Sequence, residues 1–175
     1  GRNDLADLIS GRLEVDDDFE AVQALYLESG WTDGLPIMPP TLERVEAMLA
    51  STPLSPQDII GEIPPNWGSA TVEKLAVNAM MAGCRPEYLP VIIAAVEAMC
   101  DEVFNLYAIQ ATTHPCAPLI IVNGPICAEL DLHGGSGAYG PGWQANATIG
   151  RAVRLVQLNV GGAYPGVGDM STQGA

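Results

Sequence analysis

The chain has 175 residues, the size of one compact domain with a core of its own. Its formal charge of −14, from 21 acidic against 7 basic residues, excludes ready binding to nucleic acid or an anionic membrane. A hydrophobic fraction of 48% beside 19 Gly and 14 Pro points to ordered, turn-rich loops around a well-supplied core rather than to disorder.

Acids in "LEVDDDFEAV" suit the first turn of a helix, and Phe19, Val22, Leu25 and Tyr26 continue it at helical spacing until Gly30. A proline-stiffened loop over 31–40 follows, after which Thr41 is expected to cap "LERVEAMLA". Residues 59–63 read as a short extended piece, and "PPNWG" as a loop. Ser69 or Thr71 then begins a helix that Gly83 stops, and a second helix runs from about Pro86 to Cys100 with Pro90 near its first turn. These two helices are expected to pack as a hairpin.

Beyond Asp101, "NLYAIQATT" (105–113) and "PLIIVNGPI" (118–126) alternate or run apolar over strand lengths and read as two strands. The glycine-rich "LHGGSGAYGPGWQ" precedes the helix "ANATIGRAVRLVQLNV", and "GGAYPGVGDMSTQGA" is glycine-rich again. The expectation is a mixed α/β fold, helix-rich in its first half with a small sheet in its second. Residues 1–175 form one domain on this reading, and the loop-like ending with Asp169, Ser171, Thr172 and Gln173 suggests a subunit or segment of a larger assembly.

Cys84, Cys100, Cys116 and Cys127 form no CxxC pair, and no signal peptide is apparent, so a reduced, cytoplasmic protein is expected. The apolar run "YLPVIIAAVEAM" is interrupted by Glu97 and too short to span a bilayer.

Three groups of residues could carry chemistry. In "QATTHPCAPLIIVNGP", His114 and Cys116 lie two apart at the mouth of an expected strand, which puts both on one face. They suit a base and nucleophile or a pair of metal ligands, and equally a loop histidine beside a structural thiol. In "GWQANATIGRAVR", Asn146 or Thr148 could cap a helix whose free amides, with Arg151, would seat a carboxylate or phosphate; the same residues also suit plain capping and a surface ion pair. In the third group, Trp31 and Asp33 on one stiff loop and Trp67 on another could wall a pocket, or Trp31 could fill the core while Asp33 makes an Asx-turn. Neither "YPGVG" nor "HGGSG" has the context of a dinucleotide fingerprint or a P-loop, so no nucleotide is expected.

Together "GWTDGLPIMPPTLERVEAML", "ATTHPCAPLIIVNGP" and "GPGWQANATIGRAVRLVQLNVGGAYPGVGDMSTQG" resemble a bacterial family labelled UGSC-type (seleno)proteins or, loosely, thioredoxin-like proteins. The resemblance runs over most of the chain from Gly30 onward. It implies redox or sulfur and selenium chemistry, which in that family accompanies a Cys- or selenocysteine-Gly-Ser-Cys element. This chain has no such element, so a thiol-redox centre would have to come from a partner chain.

The leading expectation is a subunit of a hetero-oligomeric enzyme, of oxidoreductase or lyase type, acting on a small polar or anionic molecule. Asp33, His114 and Cys116 would face the chemistry, His114 and Cys116 alternatively holding a metal. Trp31, Trp67, Asn146, Thr148 and Arg151 would bind the substrate. The competing expectation is a non-catalytic structural or regulatory subunit whose glycine loops dock on another chain.

Overall fold

The computed structural model describes residues 8–172; Gln173 of the C-terminal motif lies outside them. Among the described residues are seven α-helices and one two-stranded antiparallel sheet, a mixed α/β fold.

Helix α1 (Phe19–Glu28) is capped by Asp18, whose carboxylate accepts from the Ala21 amide. Helix α2 is Leu42–Leu49, and Thr41 stands at its N-cap position in extended conformation without a side-chain cap bond. Strands β1 (Ile59–Ile63) and β2 (Gly68–Thr71) pair from Ile59 against Thr71 to Ile63 against Gly68. Thr71 caps α3 (Val72–Met81) by accepting from the Lys74 amide. Gly83, at φ +86°, follows this helix and turns the chain as a residue with a Cβ would resist doing. A 3₁₀ turn at Pro86–Tyr88 leads into α4 (Leu89–Cys100), with Pro90 in the first turn where no amide is needed.

The expected hairpin of α3 and α4 is present, and α7 (Gln144–Asn159) packs against both. The α3–α7 contact is close because its residues are small: Ala76 and Ala79 on α3 and Ala152 on α7 are fully buried. Leu75, Ile92 and Leu155 add large apolar side chains to the same core, each worth roughly 1.5–3 kcal/mol of burial. Among the described residues no helix is long and apolar enough to cross a membrane.

Two local expectations are corrected. The sheet lies at 59–71, in the first half of the chain, because "GSAT" (68–71) pairs with β1 although its small residues carry little strand pattern. Gly68 is required there, since a Cβ would collide with the Val160 carbonyl oxygen.

In the second half, 105–113 is helical over Leu106–Ala111, labelled α5. Its alternation conceals an i,i+4 pair, Leu106 and Gln110, both buried, with the Gln110 amide donating to the Pro64 carbonyl at 2.7 Å. Residues 118–123 carry no ladder, and the chain then makes the single turn α6 (Ile126–Glu129).

Candidate functional site

Gly30, at φ +70°, turns the chain out of α1, and the Trp31 amide donates back to the Tyr26 carbonyl. The loop that follows is fixed at several points. The Thr32 hydroxyl donates to the Leu35 carbonyl at 2.6 Å, and the Leu35 amide reaches Asp33 Oδ1 at 3.3 Å, the Asx-type contact expected before a Gly at φ +91°. Gln23 clips Ile37 from both sides, accepting from its amide and donating to its carbonyl.

The strongest clamp comes from α7. Arg151 donates through Nε and Nη2 to the two oxygens of Asp33, both at 2.8 Å, and through Nη2 to the Pro36 carbonyl at 2.8 Å. Two turns further along, Asn159 Nδ2 donates to the Trp31 carbonyl at 3.1 Å. Bidentate pairing in a mostly screened position gives this bridge both strength and direction. Burial pushes the Asp33 carboxyl up, but Arg151, the Leu35 amide and the Thr32 hydroxyl outweigh it and hold the group below its ordinary range.

Clamped in this way, Trp31 stands edge-on to Tyr26, centroids 5.6 Å apart, and remains 39% exposed. The two rings line a cavity of about 590 Å³ together with Leu42, Val45, Val77 and Met81. That volume is within the range of small-molecule sites. Arg12 and Lys74 also line it, as do Asn78 and Asn159, which are joined by a 2.7 Å bond between Asn159 Nδ2 and Asn78 Oδ1. Asn159 Oδ1 is buried without a donor among the described residues.

Residues 8–15 contribute a strap along this cavity. Glu73 secures it: one carboxylate oxygen accepts from the Ser10 amide at 2.9 Å, and the other from the Ile9 amide at 3.1 Å and from Gln57 at 2.7 Å. Glu73 is 2% exposed, so burial raises its carboxyl, yet the bonds from Ser10, Ile9 and Gln57 bring it below the ordinary glutamate range. In the sequence this residue looks like a routine acid in a first helical turn, which hides its role from sequence reasoning.

Trp67 is not among the residues lining this cavity. It sits at the β1–β2 turn at φ +55° and stacks on Tyr107, centroids 6.1 Å apart and planes 6° apart. The two indoles therefore do not wall one pocket.

Asn146 and Thr148 do not cap α7, because the helix starts earlier, at Gln144. The Thr148 hydroxyl donates to the Gln144 carbonyl within the helix. Asn146 instead staples the glycine loop: its Oδ1 accepts from the His133 amide and its Nδ2 donates to the His133 carbonyl, each at 2.9 Å. His133 and Trp143 close that loop by stacking, with centroids 3.7 Å apart. The histidine and tryptophan that bracket "HGGSGAYGPGW" are the available sequence signal for this pairing.

His114 and Cys116 occupy an exposed loop. The Cys116 amide donates to the His114 carbonyl at 2.8 Å in a tight turn, and His114 Nδ1 lies 3.3 Å from the Thr112 hydroxyl. Among the described residues no group of three or more His, Cys, Asp or Glu is arranged to hold a metal, so the doublet has no third ligand there. Nor does Asp33 join it, since the bonds to that carboxylate come from Arg151, Thr32 and Leu35.

Cys84 is buried and Cys100 half-buried, whereas Cys116 is exposed. Burial pushes Cys84 up to about 11 although its Sγ donates to the Thr148 carbonyl, and burial also raises Cys100. Both suit packing rather than nucleophilic chemistry.

No family model, curated protein or solved structure matches the chain.

Proposed function

We propose that this chain is a component of a multi-chain enzyme that holds a small molecule, apolar in body and carrying an acidic group, in the cavity beside Trp31. The observation that carries the reading is the cavity's lining: aromatic and aliphatic walls with Arg12 as the cation offered to a ligand, while the one acid, Glu73, is engaged by the strap and the Lys74 ammonium donates to the Ser69 carbonyl at 2.8 Å. The orphaned oxygen of Asn159 adds support, because an unmet buried acceptor costs about 1–3 kcal/mol and is tolerated more readily at a site than in a passive core.

On this reading Arg151 positions the Trp31 loop instead of clamping the substrate directly. Cys116 and His114, exposed on their own loop, are the groups offered to a partner polypeptide, whose centre would supply the redox or sulfur-linked step.

The test uses anilinonaphthalene sulfonate, an apolar probe with one anionic group, titrated by fluorescence. Saturable binding should fall by roughly ten-fold or more in Val77→Trp, which fills the cavity, with circular dichroism checking the fold. Unchanged binding in a folded Val77→Trp variant would remove the cavity from the function.

A non-catalytic docking subunit is the second reading, favoured by large apolar residues left bare at Val103, Leu119, Ile121 and Tyr139. Cys116→Ser separates the two. Lost turnover in the reconstituted assembly supports the enzyme component, whereas full turnover removes this thiol from the chemistry and favours docking.

A further inference from the structure

Residues 118–123 have the side-chain pattern of a strand without a neighbour. Ile120 and Val122 are half-buried against the core, while Leu119 and Ile121 point outward, 60% and 77% exposed. This is the period-two alternation of a sheet strand. Yet among the described residues nothing accepts from the amides of 119–123, and the only bond to a carbonyl of this stretch is the Cys127 thiol on Val122. An alternating apolar run whose backbone hydrogen-bonding groups stay unused on both edges forms a template for another strand.

A groove of about 610 Å³ runs beside the template. Pro90, Ala94 and Ala98 of α4, Phe104, and the segment's own Ile120 and Ile121 line it. The alanines leave room for a second backbone to lie against the helix, as sheet-on-helix packing requires.

Charge decides the occupant. No Lys or Arg occurs anywhere between residues 86 and 150. Glu97 on α4, Asp101 and Glu102 after it, and Glu129 and Asp131 beyond the segment are all exposed. A second copy of this chain would bring the same carboxylates to the same place and be repelled.

We propose that residues 118–123 receive an extended segment of a different polypeptide by strand addition, a segment with alternating apolar side chains flanked by Lys or Arg. The inference rests on the reading that the chain works within a multi-chain assembly, and it names how the partner attaches. It does not depend on what the cavity beside Trp31 holds.

A phage-displayed library of random peptides, each about a dozen residues long, selected against the purified chain, tests it. Enriched peptides should alternate apolar and polar residues between basic flanks, and on binding should slow amide exchange at 119–123. Pro at position 121 removes a donor from one edge and Pro at 122 from the other, so Ile121→Pro or Val122→Pro should weaken binding by at least roughly ten-fold, while Tyr139→Ala, at an exposed residue outside the groove, changes it little.

Failure to enrich such peptides, or undiminished binding to both folded proline variants, would overturn the proposal. Sedimentation showing a dimer that Ile121→Pro dissolves would overturn it in favour of a second copy. The anilinonaphthalene sulfonate titration on the same preparation reads the cavity separately, so the two proposals fail independently.

Discussion

The half of the molecule built on α3 and α7 and the stretch from 114 to 123 treat polar groups in opposite ways. In the first, polar residues that look available in the sequence are engaged within the chain: Asp33 meets Arg151, Asn159 holds the Trp31 carbonyl, and Glu73 ties down the strap. In the second, His114 and Cys116 are exposed and the amides of 119–123 have no partner among the described residues. The bonds of Asp33, Asn159 and Glu73 shape the site, while His114 and Cys116 face outward. This contrast explains why a loop rich in reactive-looking residues can be scaffold while a plain apolar run is the more exposed recognition element.

Substitutions should separate the two regions by magnitude. The largest loss is expected in the shared core, where Leu75→Ala should destabilise by about 2–5 kcal/mol in denaturant unfolding. Arg151→Ala leaves Asp33 partly buried without its cation and should cost about 2–3 kcal/mol, reduced from the fully buried case by residual solvent. A double-mutant cycle with Asp33→Ala should recover a large part of that loss as coupling between the two sites.

Smaller effects belong to the strap. Glu73→Gln weakens the bonds to Ile9, Ser10 and Gln57, and a loss of about 1–2 kcal/mol is expected, read as faster exchange at the Ile9 and Ser10 amides. At the other extreme, Ile121→Thr should change stability by less than about 0.5 kcal/mol, because that side chain is bare. A loss comparable to the Arg151 variant would mean that 118–123 is integrated into the core after all.

Acid sharpens the same comparison. Asp33 and Glu73 both have folded-state carboxyls below their ordinary range, so in unfolding the chain takes up protons at moderately acidic pH. Their stabilisation is fully present above the unfolded values of about 4 and is lost as pH falls through the lower folded ones. Chemical denaturation at a series of pH values should show this loss shrinking in Arg151→Ala and in Glu73→Gln, and staying intact in Ile121→Thr.

Helices are the legible part of the sequence, since Asp18, Thr71, Gly83 and Pro90 mark their ends by local chemistry. Strand β2 is concealed because "GSAT" has no alternating pattern and exists only through its partner β1. The 106–111 segment misleads because Leu106 and Gln110 fit both a strand alternation and a helical stripe, and a distant carbonyl, Pro64, settles the matter.

The site follows the same rule. That Trp31 and Asp33 belong on a stiffened loop is readable from "GWTDGLP". That Arg151, more than a hundred residues away, takes up Asp33 is not, because ion pairing across such a separation depends on how α7 packs. The role of Glu73 is hidden for the same reason, since its bonds run to Ile9 and Ser10 far along the chain.

Residue-resolved amide exchange on the isolated chain, with and without anilinonaphthalene sulfonate, tests the central claim most directly. The account predicts strong protection throughout α3 and α7, protection at Ile9 and Ser10 that rises with the probe, and fast exchange at 119–123 in both conditions. Slow exchange at 119–123 in the isolated chain, or strap amides indifferent to the probe, would contradict it.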